Sequence, residues 1–286
     1  MTSRTSSGRN PSGRFAGRRA LVTGSSRGIG AAVALRLAAE GARVAITART
    51  LDQHPTLPGS LREVADRIEA VGSSPPAVIV ADLSDPDDRA RIVPEAEAGL
   101  GGPVDVLVNN AAAAMYMPLV DYPLKRRLLS YSINVHAPID LMQQVLPPML
   151  ARGEGWIVNL SSATARPAAD PTNTPARIAT MAVYGSTKAA LNRLTNGFAI
   201  ELTGSGVRVN TVEPRAAVMS EGAAAVASDV ITPELTESME EMVEATVALC
   251  DGAPELTGRI AVSLDLITEL GLTVMNLDGT GPASGT

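Results

Sequence analysis

From residue 19 onward, short runs rich in β-branched residues alternate with stretches of helical periodicity, and that alternation restricts the chain to one fold class. The apolar runs fall at 19–23, 43–47, 77–81, 104–109, 156–160, 207–212 and 259–263. Helical patterns occupy 28–40, 61–71, 85–98, 124–150 with a break near Pro138, 184–202 and 238–249. Several of the short runs are apolar throughout rather than alternating, as expected for strands covered on both faces. Strand, helix, strand repeated along the chain predicts an α/β fold. Its form is one doubly wound, parallel, Rossmann-like sheet of about seven strands with helices on both faces.

No repeat or linker divides this pattern, so residues 18–265 read as a single domain. Residues 1–17 are rich in Ser, Gly and Arg and lack acidic groups, which predicts a disordered tail. Residues 266–286 read as a C-terminal extension. Two stretches stand outside the rhythm. Residues 163–183 carry Pro167, Pro171 and Pro175, and residues 214–237 are bounded by Pro214 and Pro233. Loops this long in a compact domain are usually functional or disordered.

Composition narrows the function. With 45% apolar and 19% charged residues the chain reads as a soluble globular protein. A net charge of −6 argues against general nucleic-acid binding, which needs a basic footprint. No apolar run approaches the ~20 residues of a membrane span. The single cysteine, Cys250, excludes an internal disulfide and fits a reducing, cytoplasmic setting; it reads as a buried small hydrophobe. No metal site is expected. Only two lysines occur, Lys125 and Lys188.

Lys188 lies four residues after Tyr184, at the head of a helical stretch, so ammonium and phenol share one helix face. A fixed cation beside a phenol favours the phenolate and can lower its pKa by ~1–3 units. The pair is therefore a candidate proton donor and acceptor near neutral pH. His54 and His136 read as ordinary surface or helix residues.

At the other end of the pattern the first strand runs into Thr23-Gly24-Ser25-Ser26-Arg27-Gly28-Ile29-Gly30, and a helix follows at once. Glycines permit a tight turn and close backbone approach, and the helix N-terminus offers free N–H groups to a diphosphate. The second strand ends in Thr47-Ala48-Arg49 rather than in the acidic residue that would hold the ribose hydroxyls of NAD. Arg27 and Arg49 suit a 2′-phosphate instead, which predicts NADP(H) over NAD(H).

Taken together, these motifs resemble the short-chain dehydrogenase/reductase family. Besides the glycine turn, the chain carries Asp82-Leu83 after the third strand, Asn109-Asn110-Ala111-Ala112 after the fourth, Asn134 in the next helix and Ser161-Ser162 after the fifth. The resemblance covers residues 17–215. It implies that Tyr184 exchanges a proton with the substrate oxygen, while Lys188 holds the nicotinamide ribose and keeps the phenol's pKa low. Ser162 would hydrogen-bond the substrate oxygen, with Ser161 a strand-end capping hydroxyl, and Asn134 would order a water leading to Lys188. Gly24, Ser26, Arg27, Gly28, Ile29, Gly30, Arg49, Asp82, Leu83, Asn110, Ala111, Tyr184, Lys188 and Pro214 would line the dinucleotide.

Three departures stand out. Between Ser162 and Tyr184 lie 21 residues rather than about a dozen, so 163–183 should roof the substrate pocket. Pro214-Arg215 replaces the family's Pro-Gly, leaving Arg215 open to the diphosphate, to a substrate acid or to solvent. Ser220 falls one position past the expected threonine.

The implied function is an NADP(H)-dependent carbonyl reductase or alcohol dehydrogenase. A 3-oxoacyl-thioester reductase, a non-catalytic dinucleotide-binding protein and an epimerase or dehydratase are the alternatives. Met115, Tyr116, Met117 and Met181 near the pocket suggest a small apolar substrate. The resemblance also implies a homo-tetramer or dimer built through helices at 137–152 and 184–203, with Gly185, Ala189 and Ala190 permitting close packing.

Overall fold

The computed structural model describes residues 13–283 apart from 55, 72–73, 174–175, 219 and 221–235. The expected alternation is present: β1 (Arg19–Thr23), α1 (Gly28–Ala39), β2 (Arg43–Ala48), α2 (Leu61–Val71), β3 (Ala77–Val80), α3 (Pro86–Leu100) and β4 (Val106–Asn109). There follow α4 (Leu124–Tyr131), α5 (Ala137–Arg152), β5 (Gly155–Leu160), α6 (Ala176–Ala179), α7 (Ala182–Glu201) and β6 (Val207–Glu213). The chain continues through β7 (Ala217–Val218), β8 (Thr236–Glu237), α8 (Met239–Leu249), β9 (Ile260–Val262) and α9 (Ser263–Leu270).

Seven strands form one parallel sheet in the order β3-β2-β1-β4-β5-β6-β9. Chain direction across the sheet reverses between β1 and β4, which opens a crevice at their carboxyl ends. The inner strands β1, β4 and β5 are largely apolar because both of their faces are buried, whereas the edge strand β3 leaves Val78 and Val80 exposed. Val22, Ile46, Val108 and Val158 pack towards α1, α2, α8 and α9 through Val33, Ile68, Val247 and Leu266. Leu21, Leu107, Ile157 and Val209 pack towards α3 and α5 through Ile92, Leu141 and Val145. Cys250 is fully buried in the first of these layers, and burial pushes its thiol up to about 12.

The helix expected over 124–150 is two helices. A π turn at Ser132–His136 separates α4 from α5, and Pro138 lies in the first turn of α5. The backbone stays right-handed helical from Tyr131 into α5, and the widened π turn just ahead of Pro138 is where the helical ladder accommodates the missing N–H.

Two expected boundaries are corrected. Residues 1–12 of the expected tail lie outside the described residues, but 13–17 form a turn in which Phe15 is fully buried. The Phe15 N–H donates to the Glu40 carbonyl at 2.8 Å. At the other end, α9 runs across the expected boundary at 265/266. Beyond it the buried Arg36 donates to the carbonyls of Met275 and Asn276 and pairs with Glu244 at 2.7 Å. Residues 274–283 are thus pinned to α1 and α8. Of loop 214–237, 219 and 221–235 lie outside the described residues, and its ends meet as the parallel pair β7–β8. Among the described residues no helix is long and apolar enough to cross a membrane.

Candidate active site

The carboxyl ends of β1 and β4 meet at the glycine turn. The Thr23 hydroxyl accepts from the N–H groups of Asn110 and Ala111, both at 3.1 Å. The Asn110 amide donates to the carbonyls of Thr23 (2.9 Å) and Gly24 (3.1 Å). Glycine is required at two positions here. Gly24 has a φ of +66°, and a Cβ on it would lie 2.7 Å from the Ala111 Cα. A Cβ on Gly30 would lie 2.3 Å from the Asn110 amide nitrogen and 2.5 Å from the Gly24 carbonyl oxygen. Asn110 thus ties β4 to the turn, and its side chain is spent on that contact. Ser25, which sequence reasoning missed, is fully buried; it donates to the Val22 carbonyl at 3.0 Å and accepts from the Thr47 N–H at 2.9 Å.

A cleft of about 850 Å³ begins at this turn and is lined by Gly24, Ser26, Arg27, Gly28 and Ile29 on one side. Arg49, Asp82, Leu83, Asn110, Ala111 and Pro214 also line it, as expected from sequence; Gly30 lies behind the turn. Its N-terminal helix end has no side-chain cap, which leaves backbone donors directed towards an anion. Arg27 lines the cleft but also donates to the carbonyls of Pro58 (2.7 Å) and Gly59 (3.1 Å). The Arg49 side chain is exposed, 4.0 Å from Asp82. Thr50, His54 and Leu57 also line this end. Sequence reasoning missed Thr50 and Leu57, because the loop carries no motif, and assigned His54 to the surface. The His54 Nδ1 accepts from the N–H groups of Thr56 and Leu57, so it shapes the loop.

The far end of the same cleft gathers Ser162, Tyr184 and Lys188. Ser162 follows β5 in extended conformation, and its hydroxyl accepts from the Thr164 N–H (3.2 Å) and hydroxyl (2.9 Å). It also contacts the phenol of Tyr184, which sits in the first turn of α7. The turn at Ala163–Ala165 crosses α7 at Gly185, where a Cβ would lie 2.4 Å from the Thr164 carbonyl oxygen. Gly185 permits this crossing, which brings Ser162 to Tyr184.

Lys188 is fully buried and donates to the Leu160 carbonyl at 2.7 Å; its Nζ lies 5.8 Å from the Tyr184 ring centre. Burial lowers its pKa to about 8. Tyr184 departs from expectation. Burial raises the pKa of its phenol well above the usual range, the neighbouring Tyr116 adds to this, and the Ser162 contact opposes it. Removing both groups from water disfavours each charged form. The resting phenol is thus firmly protonated.

Asn134 sits in the π turn. Its amide nitrogen donates to the Ala113 carbonyl (3.1 Å) and the Thr187 hydroxyl (3.0 Å), and its oxygen accepts from the Ala113 N–H (2.7 Å). Both amide hydrogens brace β4's exit against α7. Ser161 follows β5 with its side chain buried near Glu213, a carboxylate whose pKa burial raises. Arg215 lines the cleft, and its exposed guanidinium pairs with Asp265 on α9, a partner outside the three readings above.

Between these ends the cleft is walled by Ala112, Ala113, Ala114, Met115, Tyr116, Ile178, Met181 and Met242. The rings of Tyr116 and Tyr184 meet edge to face at 5.7 Å. Met117 does not line the cleft; its main-chain N–H donates to the Thr180 carbonyl and its sulfur accepts from Arg126.

The family model for short chain dehydrogenases matches residues 18–230. Hydroxysteroid dehydrogenase-like protein 2 of Danio rerio is 30% identical over 261 residues, 91% of this chain and 60% of that protein. The chain therefore spans about 60% of that relative's length. L-xylulose reductase of Mesocricetus auratus is 36% identical over 211 residues, 73% of this chain and 75% of that protein. Among solved structures, a 3-oxoacyl (acyl-carrier-protein) reductase from Agrobacterium tumefaciens C58 with NADP bound superposes with a TM-score of 0.72 at 30% identity. That match covers 87% of this chain and 93% of the other.

Proposed function

Because the chain belongs to the short-chain dehydrogenase family, an oxidoreductase family, we propose that it uses NADP(H) to interconvert a carbonyl and an alcohol on a small apolar substrate. The observation that carries this reading is the meeting of Ser162, Tyr184 and Lys188 on the wall of a cleft whose other end is the glycine turn.

The glycine turn fits a dinucleotide: Gly24, Ser26, Gly28 and Ile29 line the cleft where α1 begins, and that helix end has no side-chain cap to compete with a diphosphate. Ser26, Arg27, Gly28 and Ile29 would hold the diphosphate, Arg49 with Arg27 the 2′-phosphate, and Asp82 with Leu83 the adenine. Ala111 and Pro214 would flank the nicotinamide, and Lys188 its ribose. NADP-bound relatives such as the Agrobacterium reductase support the choice of cofactor. When bound, the reduced cofactor supplies a hydride to the carbonyl carbon.

The side chains then manage the oxygen. Ser162 donates a hydrogen bond to it and stabilises the developing negative charge. Tyr184, protonated at rest, gives its phenolic proton to the same oxygen, so carbonyl, hydride and proton together make the alcohol. The phenolate left behind is stabilised by the Lys188 ammonium until it is reprotonated. Asn134 holds α7 and the 111–115 segment so that these groups stay in register.

The alanine and methionine lining favours an apolar ketone or secondary alcohol over a polyol. Following NADPH oxidation by the purified protein across apolar ketones, ketoses and 3-oxoacyl thioesters tests this. Turnover should be fastest with apolar ketones. Tight NADPH binding with no turnover of any carbonyl would sink the catalytic reading, and a preference for ketoses would sink the substrate assignment. We also infer a homo-oligomer through α5 and α7, which a monomeric mass in solution would contradict.

A further inference from the structure

Arg166 lies four residues after Ser162, at the end of the turn that crosses α7. Its guanidinium brackets Pro214. Nε lies 3.2 Å from the Glu213 carboxylate, and a terminal nitrogen donates to the Arg215 carbonyl at 3.0 Å. One planar group therefore grips the residues before and after the proline that lines the cofactor cleft. A rigid fork of donors suits this double contact, and a lysine's single ammonium does not.

The anchor of this grip is unusual for a strand end. Glu213 closes β6, the strand between β5 and the edge strand β9, and is only 1% exposed. A carboxylate so placed is costly unless paired and hydrogen-bonded. Its neighbours are Arg166, Ser161 and Asn192; Asn192 lies one turn beyond Lys188 on α7. The connection then runs outward. The Arg215 N–H donates to Glu237 at 2.9 Å, and Glu237 accepts from Ser263 at the head of α9 at 2.7 Å.

We propose that Arg166 and Glu213 are positioning residues that fix the turn bearing Ser162 against the Pro214 segment. They set the separation between the substrate oxygen and the face from which hydride arrives. This rests on the hydride-transfer reading above. Neither residue lines the cleft, and the pair acts through Ser162 and Pro214, which do. A displacement of about 1 Å at reacting groups can cost on the order of a hundredfold in rate, so the clamp can govern turnover without touching the reacting atoms.

Three variants of the full chain test the clamp: Arg166→Met, Arg166→Lys and Glu213→Gln. For each, NADPH affinity is read by fluorescence, kcat at saturating substrate, and amide hydrogen exchange at 162–166 and 214–218. Arg166→Met should lower kcat about tenfold or more while NADPH affinity changes less than about twofold. Arg166→Lys, which keeps the charge but loses the bracket, should resemble it, and Glu213→Gln should be milder. Exchange should quicken in both segments, on either side of the lost contact. Wild-type kcat in Arg166→Met would overturn the clamp, as would exchange unchanged in both segments. Full rescue by Arg166→Lys would also overturn it, because charge alone would then suffice. NADPH oxidation by the unaltered chain tests the hydride-transfer reading separately, and the exchange comparison reads the clamp even without turnover.

Discussion

The Lys188 ammonium donates to the main-chain carbonyl of Leu160 at 2.7 Å, so α7 is fastened to the end of β5 by a cation buried beside its phenol partner. Folding takes this lysine from 10.5 to about 8, so between those values the unfolded chain binds more protons than the folded one. Stability then rises with pH across that window, and the cost of the buried charge is complete below about 8. Tyr184 acts in the opposite sense only above its ordinary value of 10.0. We expect the melting temperature of the wild type to gain several degrees on Lys188→Met between pH 7 and pH 10, corresponding to about 2 kcal/mol. A pH-independent difference between the two proteins would show that Lys188 is not depressed.

Tyr184→Phe removes the proton donor and keeps the ring that packs against Tyr116. General acid catalysis of this kind contributes roughly 10²–10⁴ in rate. We therefore expect NADPH binding within about twofold of wild type and carbonyl reduction lower by at least two orders of magnitude. Robust turnover in this variant would remove Tyr184 from the mechanism.

The strands were legible because a sheet buried on both faces imposes continuous apolar runs that nothing else in the chain imitates. Ser162, Tyr184 and Lys188 were legible for a related reason, since each sits where a strand or helix ends and its spacing is set by the element. Roles that depend on contacts between distant segments were not. Arg166 carries no local signal, because its partners lie at 213 and 215, beyond the whole of α7. The need for glycine at 185 is likewise set by a distant segment, the Thr164 carbonyl that crosses it. The protonation state of Tyr184 also escaped the sequence. Spacing reveals the attraction between phenol and ammonium but not how far both are withdrawn from water. Phe15 was assigned to a tail on the composition of its neighbours, although a lone large apolar residue among Ser, Gly and Arg is the one group there with a reason to be buried.

Gly30 offers a test of the cofactor cradle that leaves the catalytic groups alone. A methyl on it would press on the Asn110 amide and the Gly24 carbonyl, both of which hold the turn. Neither is the free end of a flexible chain, so the turn itself must shift. In Gly30→Ala, NADPH affinity should fall at least tenfold, with the loss appearing in KM for the cofactor more than in KM for the carbonyl. Unchanged cofactor affinity would place the dinucleotide elsewhere.

Arg49 is the sharper probe of cofactor choice, because Arg27 already donates to the carbonyls of Pro58 and Gly59, whereas the Arg49 side chain stands exposed beside Asp82. A guanidinium bound to a 2′-phosphate makes charge-assisted hydrogen bonds worth ~1.5–3 kcal/mol, and a carboxylate in its place would repel that phosphate. The same carboxylate can accept from the ribose hydroxyls of NAD. Arg49→Glu should therefore raise KM for NADPH by about ten- to a hundredfold and lower KM for NADH, narrowing or reversing the ratio between them. Paired steady-state measurements with both cofactors at fixed carbonyl decide the matter. If the two KM values move together, Arg49 contributes general electrostatics, and discrimination must come from Arg27 or the 50–57 loop.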